Sequence, residues 1–93
     1  MPSEVVDNTD ESRYELLVEG ERVGLIDYVR GEHVERLIHT EIDPDRQEHG
    51  LASGFVQEVL DRLRTTDLRL QPDCPYVAHW LTKHPEYQDL TQR

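Results

Sequence analysis

The chain has 93 residues, of which 35% are hydrophobic and 32% are charged, and its ten Lys and Arg residues stand against twenty Asp and Glu residues, for a net charge of -10. This length suits one domain with a small core, and the mean hydropathy of -0.75 argues against a membrane span of about 20 apolar residues. The acidity excludes nucleic acid and anionic membranes as partners, because both are bound through basic patches.

The first twelve residues have the composition of a disordered acidic tail. Glu4, Asp7, Asp10 and Glu11 alternate with small polar residues, and such a segment buries too little apolar surface to offset its ordering entropy. The start of the chain has neither the basic nor the apolar stretch of a secretory signal. The single cysteine, Cys74, cannot form an internal disulfide. We therefore expect residues 1–12 to be a disordered tail. The lack of a signal and the single cysteine lead us to expect a cytoplasmic protein.

Three runs of alternating hydrophobicity follow between residues 13 and 42. In the first run, Tyr14, Leu16 and Val18 share one face. The second run, over residues 23–29, places odd-numbered positions on one face and even-numbered positions on the other, with apolar residues on both, which is typical of a central strand. The third run covers residues 33–42. Short turns join the three runs, which predicts an antiparallel meander.

After residue 50 the hydrophobic period becomes that of a helix. Apolar residues form one stripe from Leu51 to Leu63, which predicts an amphipathic helix over residues 50–64. A short strand over residues 68–70 and a second helix near Pro75 follow, with Tyr76 and Trp80 on its core side. The order βββαβα predicts an α+β fold, an antiparallel meander plus one parallel strand with helices packed on it, over residues 13–90. Residues 91–93 are expected to form a tail.

The start of the first helix is a candidate anion site. The first N–H groups of a helix have no partner within the helix, and the helix dipole adds positive charge there. The small residues Gly50 and Ala52 would let a phosphate approach the backbone. The alternative is an ordinary helix start, because glycine is common at that position.

Four short motifs follow one another along the chain. They are His39-Thr40-Glu41-Ile42, Gln47-Glu48-His49-Gly50-Leu51-Ala52-Ser53, Pro72-x-Cys74-Pro75-Tyr76-Val77, and His84-Pro85-Glu86-Tyr87 with Asp89-Leu90. In this order they resemble the motifs of the GNAT acetyltransferases, and more specifically those of the small N-acetyltransferase-domain-like family of minimal proteins. The resemblance covers roughly Tyr14 to Leu90, and Gln47 to Ala52 matches the Q/R-x-x-G-x-G/A loop of these enzymes.

The resemblance implies a site for acetyl-CoA. Backbone groups of Ile42 would bind the pantetheine of coenzyme A in a gap between the strand that ends at Ile42 and the short strand near residue 70. The pyrophosphate would lie on the loop and helix start formed by Gln47, Glu48, His49, Gly50, Leu51, Ala52 and Ser53. Cys74 would lie near the thioester.

Three side chains are then candidate catalytic residues. His39 titrates near neutral pH and suits a general base, and Glu41 could act through a water if burial raised its pKa. Cys74 could protonate the leaving thiolate or accept the acetyl group itself, and a helix start after it would favour the thiolate. Each has a structural alternative: Cys74 as a buried core thiol, His39 as a hydrogen-bonded strand residue, and Glu41 as the partner of an arginine.

The leading hypothesis is an acetyl-CoA-dependent N-acetyltransferase that acts on an unidentified amine, such as a small molecule, a polyamine or a protein lysine. Direct attack on the thioester is the expected mechanism, and an acetylated Cys74 is the alternative. The chain's brevity suggests a second possibility, a module that binds CoA or acetyl-CoA without turnover. A third is an interaction protein that has lost the cofactor, suggested by Glu48 at a loop position where the family often has glycine. The histidines show no spacing typical of a metal site.

Overall fold

The computed structural model describes residues 3–46 and 50–93. Their elements follow in the order β1 to β4, α1, β5, α2 and a C-terminal 3-10 helix. The bounds are β1 Ser3–Asn8, β2 Arg13–Val18, β3 Glu21–Arg30, β4 Val34–Ile42, α1 Leu51–Arg64, β5 Arg69–Pro72, α2 Pro75–Thr82 and the 3-10 helix Pro85–Gln92.

The strands form one five-stranded sheet in the order β1-β2-β3-β4-β5. The first four strands pair antiparallel, and β5 pairs parallel to β4. A parallel neighbour needs a crossover, and α1 supplies it. The predicted α+β class, with a meander, one parallel strand and β3 at the centre, is confirmed.

The prediction of a disordered tail over residues 1–12 is wrong for Ser3–Asn8, which form the edge strand β1. Val5 is buried opposite Leu16, and the guanidinium of Arg62 on α1 donates a hydrogen bond to the carbonyl of Val5. One apolar side chain aimed at the core, with a full ladder to β2, therefore orders a segment of largely polar composition.

The core lies on one face of the sheet. It joins the inward side chains of the strands to the buried faces of both α-helices and to Leu90 of the 3-10 helix. The stripe predicted for the first helix is confirmed, since Phe55, Val56, Val59, Leu60 and Leu63 are all buried. We call the other side of the sheet the open face. Its side chains, such as Glu15, Leu25 and Asp27, are half-buried or exposed.

Two β-bulges change which side chains reach each face. Opposite β2, Leu16 pairs with Gly24 and Leu17 with Arg22, so Val23 is an extra residue, and it is buried. The prediction that Val23 shares a face with Leu25 is therefore wrong. Opposite β3, a second shift leaves Ile38 as the extra residue on β4. A bulge reverses the alternation of side chains beyond it.

The C-terminal residues pack on the domain, so the predicted tail over residues 91–93 is also wrong. Thr91 and Gln92 belong to the 3-10 helix. The Arg93 guanidinium donates hydrogen bonds to four carbonyl groups near the end of α1, at Leu63, Arg64, Thr66 and Leu68. Carbonyl groups at and beyond a helix end need donors from outside the helix, and Arg93 provides donors for these four.

In the part of the chain that the structure describes, no helix has both the length and the apolar character needed to cross a membrane.

Candidate functional site

The site begins where β4 and β5 part. Their ladder runs from Val34 and Arg69 to Leu37 and Pro72, and no later residues of the two strands are paired. A further backbone hydrogen bond of 2.7 Å runs from the Cys74 N–H to the Leu37 carbonyl. The Ile38 bulge bends β4 at the same level. The two strands therefore leave a gap between residues 38–42 and the start of α2. The resemblance implied a gap beside residues 68–70, but Leu70 is paired with Glu35 in the ladder.

An ion pair joins the two strands at the point where this gap begins. Arg36 Nε lies 2.7 Å from the Asp73 carboxylate, and Gln71 also donates to it. The hydrogen bond from Arg36 lowers the pKa of Asp73. This contact ties β4 to the segment that carries Cys74 and helps to set where the two strands separate.

Cys74 is the N-cap residue of α2, with Pro75 in the first helical position. The thiol belongs to the core cluster, and Cys74 is only 3% exposed. Its Sγ lies 3.1 Å from Thr40 Oγ1, in a hydrogen bond that either group can donate. Thr40 was not predicted as a functional residue. Its position beside His39 in the first motif was the only signal available.

His39 and Glu41 lie on the open face. Because Thr40 points to Cys74 on the core side, its two neighbours along the strand point the other way. His39 Nε2 and Glu41 Oε2 are 3.3 Å apart, and their side chains are 56% and 64% exposed. The structure thus brings His39 and Glu41 together but places Cys74 on the opposite side of the sheet. The burial required for the predicted role of Glu41 is absent.

The proposed phosphate site lies at the start of α1. Gly50 is the N-cap, with φ of 81°, and has no side chain to cap the first N–H groups. Leu51, Ala52 and Ser53 are half-buried in the first turn. Ile42, the last residue of β4, packs against the core. The predicted loop residues Gln47, Glu48 and His49 lie outside the described residues.

A cavity of about 290 Å³ adjoins this helix start. Its lining joins Ser53 on α1 to one side of α2, and Ser53 accepts a hydrogen bond of 2.9 Å from Trp80 Nε1. Tyr76, expected in the core, is 40% exposed and lines the cavity instead. The cavity also contains Lys83, the only lysine in this acidic chain. Its full lining is Ser53, Tyr76, His79, Trp80, Lys83 and His84.

This arrangement suits a long ligand with an anionic end and a thin chain. The start of α1 offers N–H donors to phosphate groups, and the adjoining cavity adds a lysine and aromatic surfaces. Thr40 and Cys74 lie in contact where β4 and β5 separate. Sequence reasoning missed the α2 cavity, although Lys83 and the two neighbouring histidines were visible as a basic cluster.

No group of three His, Cys, Asp or Glu side chains that could hold a metal ion occurs among residues 3–46 and 50–93.

Comparison with known proteins matches most of the chain to one family. A sequence profile described as GCN5-related N-acetyl-transferase matches residues 13–90. Among solved structures, an acetyltransferase of the GNAT family from Streptococcus pneumoniae matches 80% of the chain, with a TM-score of 0.57 and 18% sequence identity. At this identity the structural match shows the fold.

The chain spans about half the length of that solved protein, since the match covers 52% of it. No curated protein sequence matches the chain.

Proposed function

Because the chain belongs to the GCN5-related N-acetyltransferase family, we propose that it is an acetyl-CoA-dependent enzyme that transfers an acetyl group to an amine. The observation that carries the proposal is the gap between β4 and β5. It has Thr40 and Cys74 on the core side and His39 and Glu41 on the open face. Acetyl-CoA, as the acetyl donor, and the amine, as the acceptor, could therefore meet in the gap from opposite sides of the sheet.

Coenzyme A would be held at three places. The N–H groups from Gly50 to Ser53, with the loop residues Gln47, Glu48 and His49, would bind the pyrophosphate. The backbone near Ile42 would bind the pantetheine. Lys83 in the α2 cavity would bind a phosphate at the nucleotide end, because it is a flexible cation beside the helix start.

When bound, acetyl-CoA supplies the activated acetyl group. His39 Nε2 accepts the proton that the amine loses, and Glu41 keeps the imidazole oriented from 3.3 Å. On the other side, the Cys74 thiol donates a proton to the departing sulfur, with Thr40 Oγ1 at 3.1 Å to stabilise the resulting thiolate. An acetylated Cys74 is the alternative route, in which the same sulfur is the nucleophile.

Calorimetry with CoA and an acetylation assay over a panel of amines test the proposal. We expect CoA binding and acetylation of at least one amine. Lys83→Ala should weaken binding of CoA but leave binding of dephospho-CoA unchanged, if Lys83 contacts the phosphate that only CoA carries. Absence of heat with millimolar CoA would refute both the enzyme and a CoA-binding module.

Variants of Cys74 separate the two routes. The nucleophile route predicts that Cys74→Ala abolishes turnover, and that intact-mass analysis after incubation with acetyl-CoA shows one added acetyl group on the native chain. Under the proton-donor route, the variant retains slow turnover and the native chain gains no acetyl group. Full activity of Cys74→Ala would eliminate both roles.

The second candidate is a module that binds CoA or acetyl-CoA without turnover. It is favoured by the exposure of Glu41, because the catalytic role predicted for this carboxylate requires burial. CoA binding with no acetylation of any amine would support this candidate over the enzyme.

A further inference from the structure

A second cavity, which we call the open-face cleft, adjoins the His39–Glu41 pair. Its volume is about 270 Å³, and it lies where β3 begins and β4 ends. Glu41 lines the cleft and also contacts His39 at 3.3 Å. The cleft is thus separate from the α2 cavity but adjoins the group that the proposed reaction uses as a base.

The lining of the cleft combines apolar walls with negative charge. Leu25 and Pro44 supply the apolar surface, and Glu41 and Asp43 supply carboxylates. Asp43 Oδ1 already accepts a hydrogen bond of 2.9 Å from the Asp45 N–H. The exposed Glu41 carboxylate is therefore better placed to meet a ligand cation.

Arg22 is the one cation in the lining of the cleft as the structure describes it. Its guanidinium lies 3.7 Å from Glu15, which also accepts a hydrogen bond of 2.8 Å from Arg13. Two arginines thus share one carboxylate, so Glu15 neutralises the positive charge of Arg22 only in part. Removing it should make the cleft more attractive to a cation.

We propose that the open-face cleft binds the acceptor, and that the acceptor is a primary amine on an unbranched aliphatic chain whose ammonium group is recognised by Glu41. This inference rests on the proposed acetyl transfer. The volume lies just below the range of about 300 to 1,000 Å³ typical of sites for drug-sized ligands, so the cleft suits an aminoalkyl group. Methylene groups pack on Leu25 and Pro44, while the amine faces the carboxylate.

Steady-state kinetics test the recognition of charge. Glu41→Gln should raise KM for butylamine about fivefold, the upper end for one exposed ion pair, whereas Arg22→Gln should lower KM by roughly twofold. Both variants should bind CoA like the native protein in calorimetry. Glu32→Gln is the matched control, because Glu32 is exposed in the turn at the other end of β3, and its KM should not change.

A series of amines tests the apolar walls and the source of the amine. KM should fall from ethylamine to pentylamine, and Leu25→Asn should flatten this dependence. A lysine-containing peptide and spermidine present the same aminoalkyl group on two kinds of molecule. Comparing KM for the two therefore distinguishes a protein side chain from a free polyamine as the source of the amine. A preference for aromatic or carboxylate-bearing amines would overturn the assignment of acceptor class.

Direct binding separates failure of this inference from failure of the proposed function. In an amide NMR titration, butylammonium should shift the resonances of Leu25, Glu41 and Ile42, and Glu41→Gln should reduce these shifts, even if no acetyl transfer occurs. If amines are acetylated but Glu41→Gln lowers only kcat, with KM unchanged, Glu41 acts in the reaction and the recognition role is refuted. Shifts confined to other regions would refute the cleft as a binding site.

Discussion

At the start of β4, the guanidinium of Arg30 joins side chains from three other strands. Its Nε donates to Glu35 at 2.5 Å, and its Nη2 donates to Asp7 and to the hydroxyl of Tyr14. Tyr14 in turn donates to Glu35 at 2.7 Å. Glu35 is completely buried, so its charge depends on these two partners. This cluster lies at the opposite end of β4 from the helix start.

Glu35→Gln tests the stability that this cluster provides. The substitution removes the charge that balances Arg30 and should lower the free energy of unfolding by about 3 kcal/mol, the low end for a broken buried pair because Arg30 is partly exposed. Urea denaturation followed by circular dichroism measures the change. Glu32→Gln, at an exposed position nearby, should change stability by less than about 0.5 kcal/mol. Equal effects in the two variants would contradict the prediction.

Two tyrosines in the same cluster predict a loss of stability at alkaline pH. Burial and the contact with Glu35 raise the pKa of Tyr14, and burial and the hydrogen bond to Asp7 raise the pKa of Tyr28 to about 12. Above pH 10 the unfolded chain loses these protons while the folded chain keeps them, so stability is present below pH 10 and falls as pH rises towards 12.

The urea concentration at the midpoint of unfolding, measured at several pH values, tests this dependence of stability on pH. Between about pH 10 and 12, the double variant Tyr14→Phe/Tyr28→Phe should lose less stability than the native chain, even if it starts lower because three hydrogen bonds are missing. Parallel slopes for the two proteins would show that other groups govern alkaline unfolding.

At the scale of elements, the start of α1 depends on backbone conformation. Gly50 has a positive φ of 81°, whereas Gly54 lies within the helix, and an added Cβ would meet no atom within 4 Å at either position. Any difference between alanine substitutions at the two sites therefore reports on the backbone.

Gly50→Ala should destabilise the protein by about 1 kcal/mol, because an L-residue rarely adopts this φ. Gly54→Ala should stabilise it by about 0.5 to 1 kcal/mol, because alanine loses less entropy in a helix. Thermal unfolding of both variants, compared with the native chain, measures the two effects. If both variants changed stability in the same direction, the conformation assigned to Gly50 would be wrong.

The strand β4 shows why the candidate site could be predicted only in part. His39, Glu41 and Cys74 were identified from motifs and from their chemistry. Simple alternation from the buried Leu37 would have put His39 and Glu41 on the core face, near Cys74. The bulge at Ile38 moves both to the open face and brings Thr40 to Cys74 instead. A bulge depends on pairing with β3, which no local pattern in β4 encodes.

For the molecule as a whole, the net charge of -10 should make stability depend on salt. Repulsion among twenty carboxylates acts over distances that salt screens, whereas the exposed ion pairs contribute little. We expect the unfolding temperature to rise as NaCl is increased from about 0.02 to 0.3 M, because the Debye length falls below roughly 10 Å within this range.

The double variant Asp10→Asn/Glu32→Gln removes two exposed carboxylates and should have a higher unfolding temperature at low salt and a weaker dependence on salt. An unfolding temperature that falls as salt is added would mean that ion pairs such as Arg64–Asp89, at 2.8 Å, outweigh the repulsion.

The order of elements from β2 to α2, the core stripe of α1 and the family could be predicted from residues alone, because they depend on local hydrophobic periods and on motifs read along the chain. Three features could not be predicted: the ordering of Ser3–Asn8, the burial of Glu35, and which side chains lie on each side of the gap near Cys74. Each depends on partners in another part of the chain: Leu16 for Val5, Tyr14 for Glu35, and the β3 register for Thr40. Long-range pairing, which local composition does not encode, sets which side chains meet.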